Sequence, residues 1–333
     1  MLDIIFLLVG FALLIAGGEL LVRGSVAVAQ RIGVSPLIIG IVLVGFGTSM
    51  PELVISVQAS LAGSPGISIG NFVGSNIANI LLIVGVAALI APLTVTSRAL
   101  KRDGGVVVAA SAAFLIIAFV SPLNQPIGAL FVAMLAAYLV FAIRQERLAP
   151  EEGHSAAFEM SQAEEEFLRN GDHWAARRLK WSNRLGRTLP YLMALAGLAT
   201  IIFGGRLLVD SAVSLAREIG VTEAVIGLTI IAVGTSLPEL VTSVVAARRG
   251  HSDVAVGNVM GSCIYNVLGI GGVVGLLAPT NVPEEIIRYD NFVMVGAAVA
   301  LVVVAANGGR ISRLEGTVML AAYVLYIYSL WPH

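Results

Sequence analysis

Long apolar runs, many exceeding the roughly 20 residues a helix needs to cross a bilayer, follow one another along this chain, and polar residues collect in the short gaps between them. The pattern predicts ten spans, at 2–28, 36–61, 67–91, 104–120, 126–143, 189–216, 223–247, 252–278, 289–306 and 313–330. Only 146–188 is both extended and polar. The runs are too long and too evenly apolar for the alternating strands of a β-barrel, and lipid-exposed backbone must satisfy its own hydrogen bonds, so the spans are expected to be helices.

Composition agrees. With 57% hydrophobic and 12% charged residues among 333, and a mean hydropathy of +0.92, the chain falls outside soluble usage and within the membrane class. Met1-Leu2-Asp3 offers no basic leader, so the first run reads as a retained span. Cys263, the single cysteine, sits in an apolar run as a small packing residue.

A shift of 187 positions lays Gly17–Gly85 over Gly204–Gly272 without a gap, with 32 of 69 positions identical. The chain is a duplication, read as repeats at 1–145 and 189–333 joined by a connector at 146–188. Five spans per repeat is an odd number, so the second copy is expected to enter the bilayer from the opposite side. Charge placement supports this. The segment 92–103 carries three basic residues, whereas its counterpart 279–290 has one basic residue with Glu284 and Glu285. Basic residues at 98–102, 144–187, 248–249 and 310–313 then lie inside, which puts both termini outside. The connector is expected to be cytoplasmic, and Trp174, Leu179 and Trp181 near its basic cluster could rest on anionic headgroups.

GFGTSMPEL at 45–53 and AVGTSLPEL at 232–240 each bury a carboxylate in an apolar run. A charge at that depth is costly enough to be functional by default, so Glu52 and Glu239 are the residues to explain. Pro51 and Pro238 cannot donate to the carbonyls of Gly47 and Gly234, so each helix is expected to break there and free backbone oxygen. Thr48 and Ser49, and Thr235 and Ser236, precede the acids by four and three residues, a spacing that places hydroxyl and carboxylate on one helical face. GNFVGSNIAN at 70–79 and GNVMGSCIYN at 257–266 add Ser75 with Asn79 and Ser262 with Asn266, on helices whose glycines permit close approach.

The donors are oxygens, as hard cations such as calcium require. The four histidines lie outside the expected spans, which argues against a transition-metal site. Taken singly, a membrane serine usually bonds to its own helix and an asparagine can be interhelical glue. The duplicated acid motif is what lifts the set above those readings, since no basic residue recurs within both copies to pair with it. No nucleotide loop points to a pump, and no His or Lys lies within a span to activate a serine nucleophile.

At these residues the chain resembles the calcium/cation antiporter superfamily, and within it the prokaryotic sodium/calcium exchangers made only of a membrane domain. The resemblance covers both halves and leaves out the connector. It implies an all-α integral membrane fold of ten helices in two inverted five-helix repeats, with broken helices at the centre and long first and sixth spans sliding across it. It further implies that Glu52 and Glu239 are the principal ligands, with Thr48, Thr235, Ser49, Ser75, Ser236, Ser262, Asn79, Asn266 and the backbone oxygens of Gly45 and Ala232. Asn at 266, where many relatives have Asp, resembles the potassium-independent pattern; Cys263 replaces a usual Asn and is not expected to bind cations.

The expected function is a secondary antiporter of the plasma membrane, a bacterial inner membrane on this reading, that exchanges sodium for calcium. Calcium/proton exchange through the same carboxylates is the alternative, and a passive cation channel a further one. Calcium and sodium are cargo, with no resident cofactor. Lipid is the surrounding partner, nucleic acid is not one, and a monomer is expected to suffice.

Overall fold

The computed structural model describes residues 2–32, 47, 49–95, 100–148, 158–160, 162 and 184–331. Its helices are α1 (Leu2–Arg31), α2 (Met50–Leu61), α3 (Pro65–Ile90), α4 (Arg102–Val120), α5 (Gln125–Leu148) and α6 (Arg184–Ile219). They continue with α7 (Glu223–Thr235), α8 (Leu237–Arg248), α9 (Ser252–Leu277), α10 (Ile286–Ala306) and α11 (Arg313–Leu330). Two short strands, β1 (Leu93–Thr94) and β2 (Arg310–Ile311), complete the described elements.

Seven of these helices, α1, α3, α4, α5, α6, α9 and α10, are long and apolar enough to cross a membrane, and α7 with α8 makes an eighth if the bent pair is one span. The expected spans at 2–28, 67–91, 104–120, 126–143, 189–216, 252–278 and 289–306 each fall on one of the seven. α11 has the length of a span, 18 residues, but it opens on Arg313 and Glu315 and carries Tyr323, Tyr326 and Tyr328. Of the expected span 36–61, residues 36–46 and 48 lie outside the described residues, as do Trp174, Leu179 and Trp181.

α3 and α9 form the centre. Buried residues make up 78% and 89% of their apolar windows, against 22% for α5 and 33% for α1. Glycine lets backbones meet backbones there, because a Cβ would fill the gap. A Cβ on Gly74 of α3 would lie 2.6 Å from the Leu228 carbonyl oxygen of α7, and one on Gly66 2.7 Å from the Ala224 nitrogen. On α9 the corresponding face meets something else: Gly257 lies against Glu159, a connector residue that is buried together with Met160. The connector is therefore not solvated throughout its described part.

α1 and α6 pack along one another. A Cβ on Gly24 would come within 2.5 Å of the Ala194 nitrogen, and one on Gly197 within 2.4 Å of the Leu21 nitrogen. Their outer faces expose Ile4, Ile5, Leu8, Leu195 and Phe203, an apolar surface of the kind that lipid covers. Arg23 and Glu19, whose counterparts Asp210 and Arg206 do not match them in charge, read from sequence as helix-end residues; the structure instead pairs them one turn apart well inside the 30 residues of α1.

The strands join the two halves. Leu93 pairs with Ile311 and Thr94 with Arg310 in antiparallel register, and an isolated antiparallel bridge joins Leu123 to Thr280. The two pairings correspond under the 187-residue shift to within one residue of register, since it carries Leu93 to Thr280 and Leu123 to Arg310, the neighbour of Ile311. The same shift relates the π-helical turns at Ala78–Ile83 and Tyr265–Ile270.

Candidate functional site

Proline sets the local backbone. Ser236 ends α7 with φ −83° and ψ 7°, Pro238 follows in the first turn of α8, and the two helices meet at 46°. Ser49 adopts φ −83° and ψ 6° ahead of Pro51 in the first turn of α2. Proline is favoured at such a position because its missing N–H would have no partner there. The break thus falls on the serine, two residues beyond the glycine whose carbonyl the proline cannot reach.

Each break delivers a glutamate into the first turn of the next helix, Glu52 in α2 and Glu239 in α8. The unpaired N–H groups and the dipole of a helix start favour negative charge there. The hydroxyls do not serve the acid of their own half alone, as continuous helical spacing had suggested. Glu52 of the first half sits beside Thr235, Ser236 and Glu239 of the second. The bend turns the end of α7 across the middle of the molecule, which is why.

The expected residues that the structure describes are buried. Ser49, Glu52, Ser75, Asn79, Ala232, Thr235, Ser236, Glu239, Ser262 and Asn266 are each at most 3% exposed. Gly45 and Thr48 lie outside the described residues. The Ala232 carbonyl accepts from the Ser236 amide at 3.1 Å, from Thr235 Oγ1 at 3.3 Å and from Ser75 Oγ at 3.5 Å. Two of those three donors are hydroxyls that can rotate away.

A second feature marks the cluster. Among the described residues, Ser49 Oγ, Glu52 Oε2, Asn79 Oδ1, Ser236 Oγ, Ser262 Oγ and Asn266 Oδ1 are buried and within geometric hydrogen-bond reach of no partner, although Ser236 lies beside Glu52. Burying an oxygen unpaired costs about 1–3 kcal/mol each, so six such oxygens on the motif residues call for a compensating ligand. Acids elsewhere in the core are satisfied. Asp103 takes two hydrogen bonds from Arg102 and one from Tyr138, and Asp290 takes one from the Tyr326 phenol at 2.8 Å. Among the described residues no cluster of three or more His, Cys, Asp or Glu could hold a metal, so the charge of the cluster comes from Glu52 and Glu239.

Sequence reasoning missed the asparagines that brace the acids. Asn71 donates to the Glu52 carbonyl at 2.9 Å and to Ser56 Oγ at 3.0 Å, while its own oxygen accepts from Thr235 Oγ1 at 3.3 Å. Asn258 repeats this with the Glu239 carbonyl at 3.4 Å, Thr242 at 3.0 Å and Ser243 at 2.9 Å. The signal was present, since each asparagine follows its glutamate by 19 residues.

Comparison with known proteins bears on the whole chain. The family described as sodium/calcium exchanger protein matches residues 2–144 and 189–331, leaving out the connector. Sodium/calcium exchanger MaX1 of Methanosarcina acetivorans is 35% identical over 344 residues, covering 99% of this chain and 98% of its own. Putative antiporter CaxA of Alkalimonas amylolytica is 33% identical over 330 residues, covering 98% of each. Among solved structures, the sodium-calcium exchanger NCX_Mj soaked with sodium and strontium superposes with a TM-score of 0.61 at 29% identity, over 99% of both chains. With both halves matched and relatives aligned nearly end to end, the chain belongs to the sodium/calcium exchanger family.

Proposed function

We propose that this protein is a secondary active antiporter that exchanges sodium for calcium across the plasma membrane by alternating access, with Glu52 and Glu239 as the shared cation ligands. The observation that carries the reading is the coincidence of orphaned buried oxygens with the duplicated motif residues. Ser49, Ser75, Asn79, Thr235, Ser236, Ser262 and Asn266, with Thr48 and the backbone oxygens of Gly45 and Ala232, complete the ligand set on this proposal. Carboxylate, hydroxyl, amide and carbonyl oxygens are the inventory calcium takes, six to eight at a time.

Competition gives the coupling. Two carboxylates are neutralised by one calcium or by two sodium ions, so the same cage holds one load or the other. Reorientation with either load moves the two ions in opposite directions without ATP. The glycine-lined contact of α1 with α6 brings the two backbones close, which supports a pair that slides across the centre as a unit.

The ten-span architecture belongs to the same proposal. β1 joins the turn after α3 to the turn before α11, while the Leu123–Thr280 bridge joins the α4–α5 turn to the turn after α9. α4 runs from the first of these ends to the second. Equivalent turns of the two repeats therefore fall at opposite ends, as inverted repeats at 1–145 and 189–333 demand. Arg102 at the start of α4 shares one end with Arg310 and Arg313, which supports a cytoplasmic face there and both termini outside. A single chain supplies the whole cage, so a monomer suffices.

The test is calcium uptake into proteoliposomes loaded with sodium. Uptake driven by the outward sodium gradient is expected. Uptake driven only by a pH gradient would select calcium/proton exchange, and uptake without any counter-ion would indicate a channel.

A further inference from the structure

We propose that Asn76 is a positioning residue that commits Asn266 to present its carbonyl oxygen to the cation cage. The inference rests on the antiporter reading above and adds a residue to it. Its starting point is a backbone carbonyl, which can only accept a hydrogen bond.

Asn76 Nδ2 lies 3.4 Å from the Cys263 carbonyl oxygen and 3.6 Å from Met294 Sδ. Both neighbours are acceptors, so the amino group of Asn76 must face them. Its Oδ1 is thereby turned the other way, where it accepts from Asn266 Nδ2 at 3.0 Å. That bond in turn fixes Asn266. The amino group is spent on Asn76, and Oδ1 points away from it, buried and without a partner. Orientation thus passes from a main-chain carbonyl through one amide to the next, ending in an oxygen aimed at a cation.

The other half lacks the relay. Cys263 is the counterpart of Asn76 under the 187-residue shift, and the two touch reciprocally, Cys263 Sγ lying 4.0 Å from the Asn76 carbonyl oxygen. A thiol has no amide to lend. Asn79, the counterpart of Asn266, lies beside the Cys263 sulfur, and its Oδ1 too is buried without a partner. One amide ligand of the cage is therefore set in advance, whereas the partner that the described residues give the other is sulfur, a weak one. The relay also explains a neutral residue at 266, since a carboxylate there would set two acceptors face to face.

The experiment is a double-mutant cycle on the full-length protein in proteoliposomes, with Asn76→Leu, Asn266→Leu and the pair, read as half-saturating calcium and maximal rate of sodium-driven calcium uptake. Losing one well-placed oxygen should raise half-saturating calcium about tenfold in each single variant, and in Asn76→Leu, outside the cage, the maximal rate should stay within about twofold. The double variant should be no worse than either single one, because Asn76 acts only through Asn266. Asn76→Ala carries the same expectation should the leucine variant fail to fold. An unchanged calcium dependence in the Asn76 variants, or a double variant whose loss is the product of the two, would overturn the relay. Wild-type vesicles that take up no calcium against sodium would instead overturn the antiporter reading, so the two failures are distinguishable.

Discussion

Ser49 and Ser236 share one backbone conformation, φ −83° with ψ 6° and 7°, and each stands two residues before a proline and three before a buried glutamate. Neither angle is helical, so each serine is a joint. The carboxylates owe their place at the start of a helix, deep in an apolar core, to that joint.

Glu52→Gln or Glu239→Gln should abolish exchange. A charge about 4 Å from a cation is worth about 4 kcal/mol per unit charge at an effective dielectric of about 20, hence about 8 kcal/mol for a divalent ion; even half of that, after the acid's own desolvation is offset, is roughly a thousandfold loss of calcium affinity. Radiocalcium uptake into sodium-loaded vesicles measures it, and normal uptake by either variant would remove that residue from the cage.

Pro238→Ala restores an amide that can donate to the Gly234 carbonyl and lets α7 run on into α8. Straightening the 46° joint draws Thr235 and Ser236 away from Glu52. Half-saturating calcium should rise on the order of tenfold, about 1.4 kcal/mol, while thermal stability is kept or improved. A variant that binds calcium as tightly as the parent would show that the bend is not needed.

Asn258→Leu should cost stability as well as affinity. Its amide serves Thr242, Ser243 and the Glu239 carbonyl, and stranding buried polar groups costs about 1–3 kcal/mol. A lower melting temperature in detergent, without calcium, is the expected reading. An unchanged melting temperature would mean that the brace is dispensable.

Gly74→Leu tests the seam between the halves. Even its Cβ would sit 2.6 Å from the Leu228 carbonyl oxygen, and backbone cannot yield as a flexible side chain does. About 1–3 kcal/mol of overpacking strain should appear as loss of monodisperse protein. Gly105→Ala, with open space around it, is the control expected to behave as the parent.

Tyr326→Phe separates buried acids by role. It removes the phenol from Asp290 and should lower stability by about 1 kcal/mol while calcium dependence stays within about twofold. A large change in calcium dependence would bring Asp290 into the transport path.

Glu52 and Glu239 were legible in the chain because a lone carboxylate in an apolar run has few bland explanations, and because it occurs twice. The prolines announced where backbone would be irregular. Asp103 and Asp290 were not legible. Each closes a polar segment, 92–103 or 279–290, and so reads as a membrane-edge residue, yet the structure buries both against tyrosine from a helix 35 or 36 residues away. Asn71, Asn258 and Asn76 escaped for a related reason. An amide is cheap enough in a membrane helix to pass as packing, and only its partners, distant in sequence, reveal what it orients. The seating of Thr235 and Ser236 beside the acid of the opposite half was hidden too, since spacing along a helix is silent about what a bend does.

The contacts that matter most run between the halves: α1 lies on α6, α3 on α7, and β1 on β2. Neither half has a finished surface of its own, because the glycine faces of one are lined by the backbone of the other. Packing is what joins the halves, and the described part of the linking peptide adds buried Glu159 and Met160 to it. A gene cut within that peptide, or permuted so that the second half is translated first, would still encode all the surfaces needed for the pieces to recognise one another in the bilayer.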